Sequence, residues 1–112
     1  MKTLKSYNVK IWCGLRIGYT DVTHTMDDVR IICDTFVNKV KDCVTITPTE
    51  YRYVDGHEKG MIVGYIQYPR FPRKRKEIRK RALALAEILM YGLEQNRVTV
   101  TTPHESIMLE AT

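Results

Sequence analysis

From Tyr7 to Tyr19 apolar and polar positions alternate. Tyr7, Val9, Ile11, Cys13, Leu15, Ile17 and Tyr19 fall on one side, with Trp12 on the other. A period of two predicts a long strand, bent or broken at Gly14. The period then changes. Met26, Val29, Cys33, Phe36, Val37 and Val40 recur at helical spacing, which leaves Asp34, Lys39 and Lys41 for water. Ahead of this stripe, Thr25-Met26-Asp27-Asp28 resembles a capping box, with Asp28 in place of the usual glutamate or glutamine.

Cys43-Val44-Thr45-Ile46-Thr47 is β-branched and reads as a strand. Its apolar parity changes near Pro48, from Val44 and Ile46 to Tyr51 and Tyr53. A proline with a one-residue slip predicts a bulge or an edge. Asp55 to Gly60 reads as the turn. Met61 to Tyr68 is almost wholly apolar, as in a strand covered on both faces. Two helices in 112 residues can cover one face only, so a second subunit is expected on the other.

Tyr68-Pro69-Arg70-Phe71-Pro72 breaks that strand. Ile78, Ala82, Leu85, Leu89 and Leu93 then mark a second helix of about 20 residues, with Asn96 as a candidate C-cap. Val98 and Val100 begin another strand, and Ile107-Met108-Leu109 follows a turn at Thr102-Pro103-His104. The predicted order is β-α-β-β-α-β-β. This is a single α+β domain over residues 1–112, an antiparallel sheet with two helices in a ferredoxin-like arrangement with a terminal hairpin.

Composition narrows the function classes. Hydrophobic residues make up 44% and charged residues 28%, which is globular and ordinary. No apolar run approaches the ~20 residues of a membrane span, and no apolar segment follows Met1-Lys2-Thr3-Leu4-Lys5 as in a signal peptide. A cytoplasmic protein with no membrane partner is expected. Cys13, Cys33 and Cys43 are odd in number, lack Cys-x-x-Cys spacing and sit among apolar neighbours. They read as packed free thiols. His24, His57 and His104 are scattered, without the spacing of a zinc site. Neither metal nor cofactor is expected.

The net charge of +5 is unevenly placed. Eight of the twelve residues from Arg70 to Arg81 are basic, and only Glu77 relieves them. The run covers a predicted helix N-terminus, where the backbone dipole disfavours cations. A phosphate-bearing ligand would neutralise it; a solvated helix face is the plainer reading. Phe71 sits inside the run between two prolines. A rigid aromatic flanked by arginines suits stacking on a nucleobase, although a loop plug would look the same. No Gly-x-Ser-x-Gly, no phosphate loop and no recognisable Ser/His/Asp spacing is present. A binding protein that performs no chemistry is expected on that ground.

Five segments carry a family resemblance: Gly14-Leu15-Arg16-x-Gly18-Tyr19, Cys43 to Thr49, Asp55-Gly56-x-Glu58-x-Gly60, Tyr68-Pro69-Arg70-Phe71-Pro72 and Arg97-Val98-Thr99-Val100. Together they resemble the first-described Thoeris anti-defence family of phage sponge proteins. The resemblance implies sequestration, without cleavage, of a cyclic ADP-ribose isomer or another cyclic nucleotide, in the cytoplasm of an infected bacterium. It implies a dimer or hexamer with pockets at subunit contacts. Phe71 would stack on adenine, and Arg70 and Arg97 would approach the phosphates with Asn96 beside them; Arg73, from the basic run that the family does not share throughout, is a further candidate ligand residue. Arg16 would serve a second site for cyclic trinucleotides of the CBASS system.

An RNA-binding module is the alternative. The RRM shares this element order, and Lys59 to Ile66 occupies the place of its main RNA-contacting strand. Only Lys59 and Gly60 match that consensus well.

Overall fold

The computed structural model describes all 112 residues. Strand β1 (Val9–Gly14) is followed by helix α1 (Met26–Val40), strands β2 (Thr45–Tyr53) and β3 (Gly56–Tyr65), helix α2 (Arg75–Gly92), and strands β4 (Arg97–Thr101) and β5 (Ser106–Glu110). The order is the predicted one. All five strands form one antiparallel sheet in the order β2-β3-β1-β4-β5.

Both helices lie on one face of the sheet. Alternate strand residues point to them: Val9, Ile11 and Cys13 of β1, Met61, Val63 and Tyr65 of β3, and Val98 and Val100 of β4 are all buried. They meet Val29, Cys33 and Phe36 of α1 and Ile78, Ala82, Leu85, Leu89 and Met90 of α2. Burial pushes the Cys13 thiol up to about 12 and the Cys33 thiol to about 11, so both stay protonated in the core. Cys43 differs from the packed thiol expected; it is exposed, and its Sγ donates to the Tyr68 hydroxyl at 3.4 Å.

The capping box of α1 is present as read: Thr25 Oγ1 accepts from the Asp28 N–H, and the Asp28 carboxylate accepts from the Thr25 N–H. The helix closes at Lys41 in the left-handed region.

Four details sharpen or depart from the sequence reading. β1 breaks at Gly14 as read, but no strand resumes toward Tyr19, because the chain turns at Gly18 (φ +55°) and Arg16 bridges back to Thr23. Of the two readings of Pro48, the edge is the one found: β2 passes through it with no bulge, its register to β3 unbroken from Thr45↔Gly64 to Tyr53↔Gly56. The parity change is real but lies in the side chains: Ile46 faces the helices, while Tyr51 and Tyr53 face the bare side of the sheet. Pro48 is tolerated because β2 is an edge strand. The hairpin turn is only Val54-Asp55, with Asp55 left-handed at φ +59°, so the glycine-rich stretch expected as a turn is the start of β3. Finally, α2 is capped by Leu93 and not by Asn96, which lies beyond the helix.

Candidate active site

The residues singled out from sequence fall into two groups at opposite ends of the domain. Arg70, Phe71 and Arg73 precede α2, and Asn96 and Arg97 follow it. The 18 residues of α2 separate them by roughly 27 Å of helix. One chain therefore does not bring Phe71 and Arg97 into a shared pocket.

At the first end, the arginines expected to await an anion already have acids. Asp42, whose side chain is 2% exposed, receives Arg73 Nη2 at 2.9 Å, Arg81 Nη1 at 3.3 Å and the Tyr65 hydroxyl at 3.1 Å. Glu77 also pairs with Arg73 and Arg81, and Arg79 Nε reaches Glu105 at 2.6 Å. Sequence could not show this, since Asp42 and Glu105 lie about 30 residues either side. Arg73 is thus part of a buried clamp between the two helices, anchored further by its contact with the Lys41 carbonyl at 3.0 Å. Phe71 is exposed, with the Arg70 guanidinium 5.2 Å from its ring centroid.

At the other end, the bare face of the sheet carries the denser chemistry. Strand pairing sets Tyr51 directly opposite Glu58, and Gly14 opposite Gly60. The two glycines leave the backbone open between β1 and β3. The Tyr51 ring lies over Gly60, filling the space a side chain would take, and the oxygens of Glu58 and Gln95 converge over Gly14, where a Cβ would sit 2.9 Å from each. Arg16 enters this cluster from the loop beyond β1. Its Nη2 lies 3.1 Å from the Glu58 carboxylate and donates to the Tyr53 hydroxyl at 3.2 Å. Gln95 Nε2 holds the Arg16 carbonyl at 2.9 Å, while Arg16 Nε is buried with no acceptor.

The cluster is electrostatically balanced but not closed. Arg16 and Glu58 keep 32% and 26% of their side-chain surface exposed, so a ligand can reach both. Burial foremost, with Cys13 and Glu58 adding, pushes the Tyr51 phenol up to about 12. It remains a neutral hydroxyl at physiological pH. Trp12 lies on the same face, its Nε1 donating to Thr101 Oγ1 at 2.9 Å. Arg97 starts β4 on this face too, 3.9 Å from Glu110, and the Asn96 carbonyl accepts from the Ala111 N–H. Of the expected residues, Arg16 belongs to the cluster. Tyr51, Tyr53, Glu58 and Gln95, which join it in this candidate site, were not singled out from sequence.

The arrangement can do two things once a ligand parts the Arg16–Glu58 pair: bind a carboxylate through Arg16, and bind a cation through Glu58 and the tyrosine rings. No protein-family model matches the chain, and no curated protein matches it. Solved structures do. A phage SAM lyase in complex with S-methyl-5′-thioadenosine has a TM-score of 0.79 at 16% identity, over 99% of this chain and 95% of that one. The chains share a fold. A phage SAM lyase in the apo state gives 0.75 at 17% identity over the same shares.

This likeness corrects one expectation. Absence of a catalytic motif was taken to mean a binder that performs no chemistry, yet a lyase is built on the same fold from end to end. Both neighbours are phage proteins, and the bound molecule of the first is S-methyl-5′-thioadenosine. No helix is long and apolar enough to cross a membrane.

Proposed function

We propose that this chain is a lyase acting on S-adenosylmethionine or a near analogue, releasing S-methyl-5′-thioadenosine at the Arg16–Tyr51–Tyr53–Glu58 cluster. The reading rests on one observation. A carboxylate, two tyrosines and a partly exposed arginine converge over paired glycines, on the fold of a chain that holds S-methyl-5′-thioadenosine.

The substrate's own chemistry explains why so little machinery suffices. Its sulfonium is a built-in leaving group that departs as a neutral thioether and needs no proton. A carboxylate oxygen of the methionine tail attacks its own γ-carbon; the C–O bond forms as the Cγ–S bond breaks, and the electron pair goes to sulfur. The products are S-methyl-5′-thioadenosine and a protonated homoserine lactone, with no water consumed. Opposite charges vanish as the reaction proceeds, so a site that excludes water favours it. The chain must fold the tail into a five-membered geometry. Glu58 would take the α-ammonium and sulfonium side, with the tyrosine rings beside it, and Arg16 would turn the carboxylate toward the γ-carbon. The homo-oligomer expected from sequence serves the same need, because a second copy over the bare face would exclude water.

The test is product analysis. Purified protein incubated with S-adenosylmethionine should yield S-methyl-5′-thioadenosine above a no-protein control by mass spectrometry. Glu58→Gln should lower turnover by about 100-fold or more while leaving the thermal transition in place, the scale of losing one preorganised electrostatic group. Intact substrate after incubation with folded, concentrated wild-type protein would overturn the reading.

A further inference from the structure

The segment from Arg70 to Arg81 holds more charge than the whole chain. Its eight basic residues and one acid give +7, against +5 overall, so the remainder of the molecule is net −2. Arg73, Arg79 and Arg81 are consumed by Asp42, Glu77 and Glu105. Arg70, Lys74, Arg75, Lys76 and Lys80 have no acidic partner, and each is exposed. Lys76 and Lys80 stand one helical turn apart on the same side of α2. The lyase cluster lies at the far end of that helix, so these cations do not belong to it.

An aromatic is set among them. Phe71 is 64% exposed, with Arg70 stacked at 5.2 Å. It forms the lip of a cavity of about 210 Å³ whose walls include Tyr65, Ile66, Tyr68 and Ile78. The polar groups there are already engaged: Gln67 makes two hydrogen bonds to the Arg73 backbone, and Asp42 is filled by its arginines. What stays open is an aromatic recess with Lys41 in its wall and Arg70 over its Phe71 lip, while Lys74, Lys76 and Lys80 line a second depression between α2 and Val40. An acidic peptide would use the charges and leave Phe71 idle. A single-stranded nucleic acid uses both, its phosphates meeting the lysines and a base stacking on the ring.

We infer that the α2 entrance is a binding surface for single-stranded nucleic acid. This surface goes beyond the lyase reading and does not depend on it. A fluorescent thymidine 20-mer, titrated without S-adenosylmethionine, should bind with log K falling against log salt at a slope of about −3, as for four phosphates. Phe71→Ala should weaken binding about tenfold or more. Lys76→Gln with Lys80→Gln should weaken it and flatten the slope by about one. Polyglutamate of equal charge should not displace the oligonucleotide. Circular dichroism must show each variant folded. S-Adenosylmethionine turnover should be unaltered by Phe71→Ala, and oligonucleotide binding unaltered by Glu58→Gln, which separates failure of one reading from failure of the other. No binding at 50 mM salt (about a 14 Å screening length), a neutral Phe71→Ala, or displacement by polyglutamate would overturn the proposal. The last outcome would assign the surface to an acidic protein.

Discussion

Met61 points at the helices and is fully buried, whereas Ile62, the next residue of β3, points at the bare side of the sheet and is only partly covered. The same contrast runs along every inner strand. One face is a closed apolar layer of Val9, Ile11, Met61, Val63, Val98 and Val100. The other carries Trp12, Tyr51, Tyr53, Glu58, Thr99 and four glycines, Gly14, Gly56, Gly60 and Gly64. Stability is concentrated on the first. On the second, glycine in place of bulky residues weakens the strands but opens a floor on which charged and aromatic side chains can meet a ligand. Folding constrains one face and leaves the other open.

The two faces were unequally legible for that reason. Helical-face residues announce themselves by periodicity, so α1, α2 and the order of elements could be read, down to the Thr25–Asp28 box. The bare face mixes apolar and polar residues, and there periodicity misled. Tyr51 and Tyr53 looked like a strand out of register because they were taken for core; they are the open-face side chains of a strand that never slips. Alternation beyond Gly14 likewise continued into a loop. Arg16 was noticed, but its partners come from β2, β3 and the loop after α2, joined only by strand pairing. One signal was available: Tyr51 and Glu58 are equidistant from the Val54-Asp55 turn, as cross-strand partners must be.

The sharpest test of the contrast substitutes the two neighbours. Met61→Ala should cost about 2–5 kcal/mol in urea unfolding, the usual price of truncating a buried residue. Ile62→Ala should cost less than about 1.5 kcal/mol in a lone chain, since it leaves no closed cavity. If an oligomer covers the bare face, the Ile62 cost will grow with protein concentration. An Ile62→Ala cost equal to that of Met61→Ala and independent of concentration would break the distinction between the faces.

A smaller effect is expected at the floor itself. A Cβ at Gly60 would stand 2.7 Å from the Cys13 carbonyl, which belongs to a paired strand and cannot move freely, and would strike the Tyr51 ring. Gly60→Ala should therefore destabilise by about 1–3 kcal/mol, the range of overpacking, and displace Tyr51 from its place opposite Glu58. Turnover should fall even under conditions where the variant is fully folded. Normal turnover in the folded variant would remove Tyr51 from the site.

The smallest effect lies at the seam between the layers. His24 Nδ1 is 2.9 Å from Asp28 and Nε2 is 2.8 Å from Glu94, so the ring ties the loop after Arg16 to the start of α1 and to the turn that follows α2. The hydrogen bond to Asp28, then that to Glu94, raises the His24 pKa above its ordinary 6.5. The imidazolium is therefore favoured more by the folded chain than by the unfolded one. Its contribution is complete below about pH 6.5 and is lost as pH rises through the raised folded value. Asp28 moves the other way, lowered from 3.8 by the Thr25 N–H and then by His24; its contribution is present above that value and fades on acidification through the lowered one. Between these limits both groups are charged and the tie is strongest. Wild type should exceed His24→Gln by no more than about 4 °C in Tm near pH 5.5, because such pairs are largely solvated, and the gap should narrow toward pH 9. A gap that widens with pH would mean that neutral His24 holds the seam, and that the charge assigned to it is wrong.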